Sequence, residues 1–151
     1  MHLVDTNVLV HAVNPASPEN GRCRALLESW RTGAEPWGTT WGVVYEFLRV
    51  TTHPRVLPKP LTAVQAWSII ESLLASPSLR VLGETERHAE LAARTLAEVP
   101  LLAGNILHDA HIAIVMREHG VRRLYTRDSD FHRFPFLEVL DPMAPLEPGQ
   151  R

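Results

Sequence analysis

Apolar positions along this chain fall in short dense runs broken by polar residues. The first run, Leu3-Val4, stops at Asp5, and Val8-Leu9-Val10 restarts the pattern after two small polar residues. A Leu/Val run without alternation predicts a buried strand over 1–4. The next run predicts a helix over 6–13, stopped by Asn14-Pro15. Cys23, Leu26, Leu27 and Trp30 recur at helical spacing and predict a helix over 19–31. Residues 37–39 read as a short strand. Thr40 is a suitable N-cap for a helix over 41–51, closed by His53-Pro54. Thr62 caps another helix, with Val64, Trp67, Ile70, Leu73 and Leu74 on one face, an apolar stripe that reads as core or dimer interface. A strand over 79–82 and a helix over 85–98 follow. A loop containing Gly104 then leads into a helix over 106–119, ended by Gly120. A strand over 122–125, an acidic loop over 126–130, a turn and a last strand over 137–140 complete the pattern.

Strands alternate with helices throughout, which predicts an α/β domain with a parallel sheet and helices on both faces. The C-terminal ends of parallel strands share one edge, and open α/β sheets bind ligands there. With 151 residues the chain has the size of one domain, expected over 1–141. Pro142, Pro145 and Pro148 mark 142–151 as a tail that either covers the surface or is loose. The net charge of -2 gives no general basic surplus for nucleic acid, although local arginines can still hold phosphates. Cys23 is the only cysteine, so an intrachain disulfide and a thiolate metal cluster are both excluded, and it reads as a small buried hydrophobe. No apolar run is long enough to span a bilayer and no signal-peptide pattern opens the chain, so a cytoplasmic location is expected.

Against this background a few acids are out of place. Asp5 follows a strand end directly. Glu46 is the only acid in the apolar segment Trp41 to Val50, a helix expected to be largely buried. Asp109 shares a helix face with Ile106, Ala113 and Met116. Asp128 and Asp130 repeat the placement of Asp5 after the strand over 122–125. Each has an ordinary explanation: a Glu46–Arg49 ion pair, a helix-capping Asp109, an Asx turn at Asp128 or Asp130. Together they suggest a carboxylate cluster, which is stable only with bound cations or raised pKa values. Oxygen ligands without His or Cys favour Mg²⁺ or Mn²⁺. Such ions lower the pKa of bound water and steady charge on a phosphoryl group, which is phosphodiesterase chemistry.

Asp5-Thr6-Asn7, the helical Glu46-Phe47-Leu48-Arg49-Val50-Thr51-Thr52 followed by Pro54-Arg55-Val56, the helix His108-Asp109-Ala110-His111-Ile112-Ala113 and the closing Thr126-Arg127-Asp128-Ser129-Asp130-Phe131 occur in an informative order and spacing. In these motifs the chain resembles a PIN domain, and specifically the VapC-type toxin ribonucleases of VapBC toxin–antitoxin pairs, over nearly its whole length. The resemblance implies a three-layer α/β/α fold with a mostly parallel sheet of four or five strands. It implies a Mg²⁺-dependent endoribonuclease that cleaves structured RNA such as tRNA or ribosomal RNA, dimerises, and is held inactive by a VapB-type antitoxin. Operator DNA would be reached only through that antitoxin. The catalytic acids map to Asp5, Glu46, Asp109 and Asp128. Asp5, Asp109 and Asp128 are the expected metal ligands, and Glu46 orients water. Asp130, Asn7 and Thr126 are supporting residues, with Thr6 beside them. Arg49, Arg55 and Arg127 lie nearest the acid edge and are the candidates for RNA phosphates.

Other signals point elsewhere. His108 and His111 could form a zinc pair, but no third ligand is apparent. A haloacid-dehalogenase-like phosphatase also starts with a strand and an Asp. It needs a second Asp where Asn7 stands, and Lys59, the only lysine, is not suitably placed. A non-catalytic RNA- or partner-binding module on the same fold remains the main rival, although binding alone would favour Arg over clustered acids.

Overall fold

A computed structural model describes residues 1–145. Five strands form one sheet: β1 (His2–Val4), β2 (Trp37–Thr40), β3 (Leu79–Leu82), β4 (Arg123–Tyr125) and β5 (Glu138–Leu140). Their order is β3-β2-β1-β4-β5, and every pairing is parallel. Six helices accompany the sheet: α1 (Thr6–Val13), α2 (Asn20–Thr32), α3 (Trp41–Thr51), α4 (Ala63–Leu74), α5 (His88–Glu98) and α6 (Ile106–Glu118). The expected α/β class and the parallel sheet are both present. The chain winds from β1 through β2 to β3, then crosses back to β4 on the other side of β1. That reversal makes β1 and β4 the switch point of the sheet, where a crevice opens beyond the strand ends.

The core is built from the short strands and the inner helix faces. Leu3, Val4, Trp37 and Leu124 are fully buried in the sheet, and Val8, Val43, Val44, Phe47, Ala113 and Met116 pack from the helices. Cys23 is buried without a partner, as expected of a small hydrophobe. Gly38 in β2 lies where a Cβ would come to 3.0 Å from the Arg80 carbonyl oxygen and from the Met1 side chain, so a larger residue would crowd the neighbouring strand there. No helix is long and apolar enough to cross a membrane among the described residues. The first tail residues are held down: Arg22 donates to the carbonyls of Pro142 and Ala144, each at 3.0 Å. Residues 146–151 of the expected tail lie outside the described part.

Several local expectations are corrected. The buried face of α4 is Ala66-Ile70-Leu73, whereas Val64 is 80% exposed and Leu74 is also exposed. The i, i+4, i+7 row wins because it faces α3, and Val64 in the first turn lies outside it. Helix α5 starts at His88 instead of Thr85. The Thr85 N–H and hydroxyl both donate to Glu118, at 2.9 and 2.7 Å, and hold that residue out of the helix. Helix α3 is not buried all round. Trp41, Tyr45 and Arg49 line an outward face, while Val43, Val44, Phe47 and Thr51 face the core.

Candidate active site

The acid site is assembled at the switch point of the sheet. β1 ends at Asp5, whose backbone N–H donates to the Tyr125 carbonyl at 3.0 Å and so carries the β1–β4 pairing one residue further. Asp5 then caps α1, with its Oδ1 accepting from the Thr6 N–H at 2.7 Å. Its Oδ2 accepts from the Asn7 amide and the Thr126 hydroxyl, both at 2.7 Å. The two helpers are themselves tied together. The Asn7 amide also donates to the Thr126 hydroxyl at 2.8 Å, and Asn7 Oδ1 accepts from the Arg127 N–H at 3.1 Å. Thr126 Oγ1 accepts from the Asp128 N–H at 2.9 Å. Asn7 and Thr126 therefore fix Asp5 and the turn into the acidic loop, and this use of Asn7 leaves nothing of the second acid a phosphatase would need.

Asp128 caps a 3₁₀ turn over Ser129–Arg133 by accepting from the Asp130 N–H at 2.9 Å. The Asx turn is thus real, and its effect is to bring both loop acids over the sheet edge. Carboxylate oxygens of Asp109, Asp128 and Asp130 lie within 4.8 Å of one another, close enough to share one cation. Asp130, expected as a supporter, joins this cluster, while Asp5 sits beside it with both oxygens already hydrogen-bonded. Asp5 and Asp109 still meet with Asp128 in the walls of a cavity of about 250 Å³, together with Thr6, Asn7, His11 and Glu46. A wider cavity of about 640 Å³ opens over Asp109, Asp128 and Asp130, with Tyr45, Arg49, Asn105 and His108 in its rim.

The electrostatics follow from burial and crowding. Burial pushes the Asp5 carboxyl up to about 6 against the lowering effect of its Thr126 and Thr6 hydrogen bonds, with Glu46 and Asp128 adding repulsion. Asp109 is pushed up to about 7, first by burial and then by the charges of Asp128, Asp5, Asp130 and Glu46. Among the described residues no basic side chain forms an ion pair with Asp5, Asp109 or Asp128. An array of this kind favours a bound cation. Hard oxygen donors at these spacings, with open space over them, suit Mg²⁺ or Mn²⁺.

The remaining candidates are distributed unevenly. Glu46 accepts from the Thr6 hydroxyl at 3.1 Å and pairs with Arg49 at 3.2 Å, so the simple ion-pair explanation describes part of its role. Arg127 is committed to Glu19 at 2.7 Å and approaches Asp141 at 3.8 Å. Arg55 lies exposed in the loop after α3 and lines neither cavity. Of the three arginines only Arg49 borders the acids. His111 is turned to Glu84, at 2.8 Å, and stacks edge-on to His88; it forms no metal site with His108. Sequence reasoning missed Tyr45 and His11. Both had a signal in spacing, since Tyr45 precedes Glu46 in α3 and His11 follows Asn7 by one turn of α1.

Comparison with known proteins agrees with the fold and the motifs. Residues 2–137 match the PIN domain family. The chain is 34% identical over 140 residues to Ribonuclease VapC48 of Mycobacterium tuberculosis, covering 93% of this chain and 96% of that protein. It is 36% identical over 146 residues to Ribonuclease VapC37 of the same species, covering 97% and 100%. The crystal structure of VapBC2 from Rickettsia felis bound to a promoter DNA fragment contains a chain of the same fold. Its TM-score is 0.66 at 19% identity, over 92% of this chain and 96% of that one. With its acids gathered where β1 and β4 end, the chain belongs to the PIN domain family and, within it, to the VapC group.

Proposed function

We propose that this protein is a divalent-metal-dependent endoribonuclease, with Mg²⁺ the favoured ion, acting as the toxin of a VapBC-type pair. The observation that carries the reading is the meeting of Asp109, Asp128 and Asp130 oxygens within 4.8 Å beside a buried Asp5. Asp109, Asp128 and Asp130 would hold the cation, with Asp5 reaching it directly or through its water. A bound Mg²⁺ lowers the pKa of water and offsets charge on the phosphodiester. Glu46, which accepts from the Thr6 hydroxyl, would orient the attacking water or take its proton. Asn7 and Thr126 keep the Asp5 carboxylate aimed. The relatives named as ribonucleases support RNA as substrate, whether tRNA, ribosomal RNA or mRNA. The VapBC neighbour supports a VapB-type antitoxin as partner, with operator DNA reached through it. A homodimer working in the cytoplasm completes the reading.

The test is incubation of the purified protein with total RNA, with and without MgCl₂, beside Asp5→Asn. Discrete RNA fragments that need the metal and vanish in Asp5→Asn are expected. Metal-independent cleavage, or cleavage surviving in Asp5→Asn, would refute the mechanism, and no cleavage of any RNA would favour a binding module.

A further inference from the structure

The outward face of α3 is the feature that the acid site does not explain. Trp41, Tyr45 and Arg49 follow one another at i, i+4 and i+8, so they form a single row along the helix. Trp41 is 46% and Tyr45 66% exposed, and neither makes a side-chain hydrogen bond or ring contact with the described residues. The row is not isolated. Tyr45 and Arg49 form one wall of the wider cavity, whose other lining includes Asp109, Asp128, Asp130 and His108.

We infer that Tyr45 is the stacking platform for an unpaired nucleobase of the RNA strand, next to the phosphate held over the acids. Arg49 then meets a neighbouring phosphate, and Trp41 extends the platform by one helical turn. This rests on the ribonuclease reading and names the part of the site that grips the strand.

The argument is one of charge and of shape. A floor of four or five carboxylates repels a polyanion, so the strand must gain its affinity from the walls. A cationic wall residue is present in Arg49, but it is partly spent on Glu46. A ring face attracts every base without adding charge near the cation, and stacking of this kind tolerates any sequence. The cavity volume of about 640 Å³ lies in the range that encloses a small-molecule-sized group such as one nucleotide. A base in a continuous duplex keeps both faces covered by its neighbours, so the platform selects unpaired segments.

The experiment measures binding apart from cleavage. A fluorescein-labelled single-stranded RNA of mixed sequence is titrated by anisotropy in MgCl₂ against Asp5→Asn, and against Asp5→Asn combined with Tyr45→Ala, Tyr45→Phe or Tyr45→Trp. Tyr45→Ala should weaken binding by about tenfold, within the roughly 5- to 150-fold cost of losing one stack. Phe and Trp should bind as Tyr does. Equal binding by Tyr45→Ala overturns the platform, and so does a Phe variant as weak as Ala, because the hydroxyl would then carry the contact. A loss of binding that accompanies a fall in molar mass by light scattering also overturns it, since the face would then join two copies of this chain. Metal-dependent cleavage by the wild type alongside equal binding by Tyr45→Ala sinks the platform alone. Absence of both cleavage and binding sinks the ribonuclease reading with it.

Discussion

Asp109 offers the sharpest test of the electrostatics, because the substitution that should destroy activity should also stabilise the metal-free protein. The carboxyl is half-buried, accepts no side-chain hydrogen bond among the described residues, and is crowded by four other acids. Asn is nearly isosteric and removes only the charge. Because the folded-state value is raised from 3.8 to about 7, the folded protein holds this proton where the unfolded chain has lost it. Stability is therefore lost as pH rises through that window. At pH 8 full ionisation costs about 4 kcal/mol, and at pH 5 only about 1.5 kcal/mol. Solvent at the cavity mouth screens part of this, so a gain of about 2–3 kcal/mol is expected for Asp109→Asn at pH 8. In a domain of this size that raises the melting temperature by roughly 5–10 °C. Thermal unfolding followed by circular dichroism in EDTA reads the difference directly. The gain should fall by more than half at pH 5. Adding MgCl₂ should raise the wild type and leave the variant almost unmoved, by ligand linkage. A variant less stable than wild type at pH 8, or a gain independent of pH, would refute the repulsion argument.

Other consequences are open to the same treatment. Thr126→Val removes the hydroxyl that donates to Asp5 and accepts from Asn7 and Asp128, and should cost about 2–3 kcal/mol in urea unfolding as well as most of the cleavage rate. His2 is buried against Trp30 and Tyr125 with Nε2 unpaired, and burial lowers its pKa from 6.5 to about 4. The unfolded chain takes up this proton first as the solution is acidified, so about 3 kcal/mol should be lost between pH 6.5 and 4. His2→Phe should flatten that part of the stability profile. Leu101 holds φ of 61° while 86% exposed, and Leu101→Gly should gain about 1 kcal/mol by relieving the left-handed strain, read as a shift in urea midpoint. A loss of stability there would show that the leucine side chain is needed.

Much of this architecture was legible in the chain because its signals are local. The unalternated run before Asp5, the Thr40 and Thr62 caps and Gly120 each state an element boundary in a few residues. The acids were legible for a related reason: a charge in an apolar setting is conspicuous whatever the fold. What remained hidden depends on partners distant in sequence. Helix α3 looks apolar all round, and the packing of α1, α4, α6 and the sheet against its other faces decides that Trp41 and Tyr45 face outward. Glu118 reaches back to Thr85 and delays α5, which no periodicity foretells. Arg127 stands next to Asp128 in the chain, yet Glu19 of the segment before α2 claims it. Asp130 joins Asp109 because a 3₁₀ turn, and not an extended loop, follows Asp128.

The order of the strands has a consequence for how the molecule comes to life. β1 is the central strand, yet its partner β4 lies about 120 residues further along and brings Thr126, Asp128 and Asp130 with it. Pairings of such long sequence separation form late and slowly. On the ribosome Asp5 emerges well before Asp128 and Asp130, so the cluster cannot be complete until β4 and the loop after it have been made. A site built this way is complete only once nearly the entire domain has been synthesised.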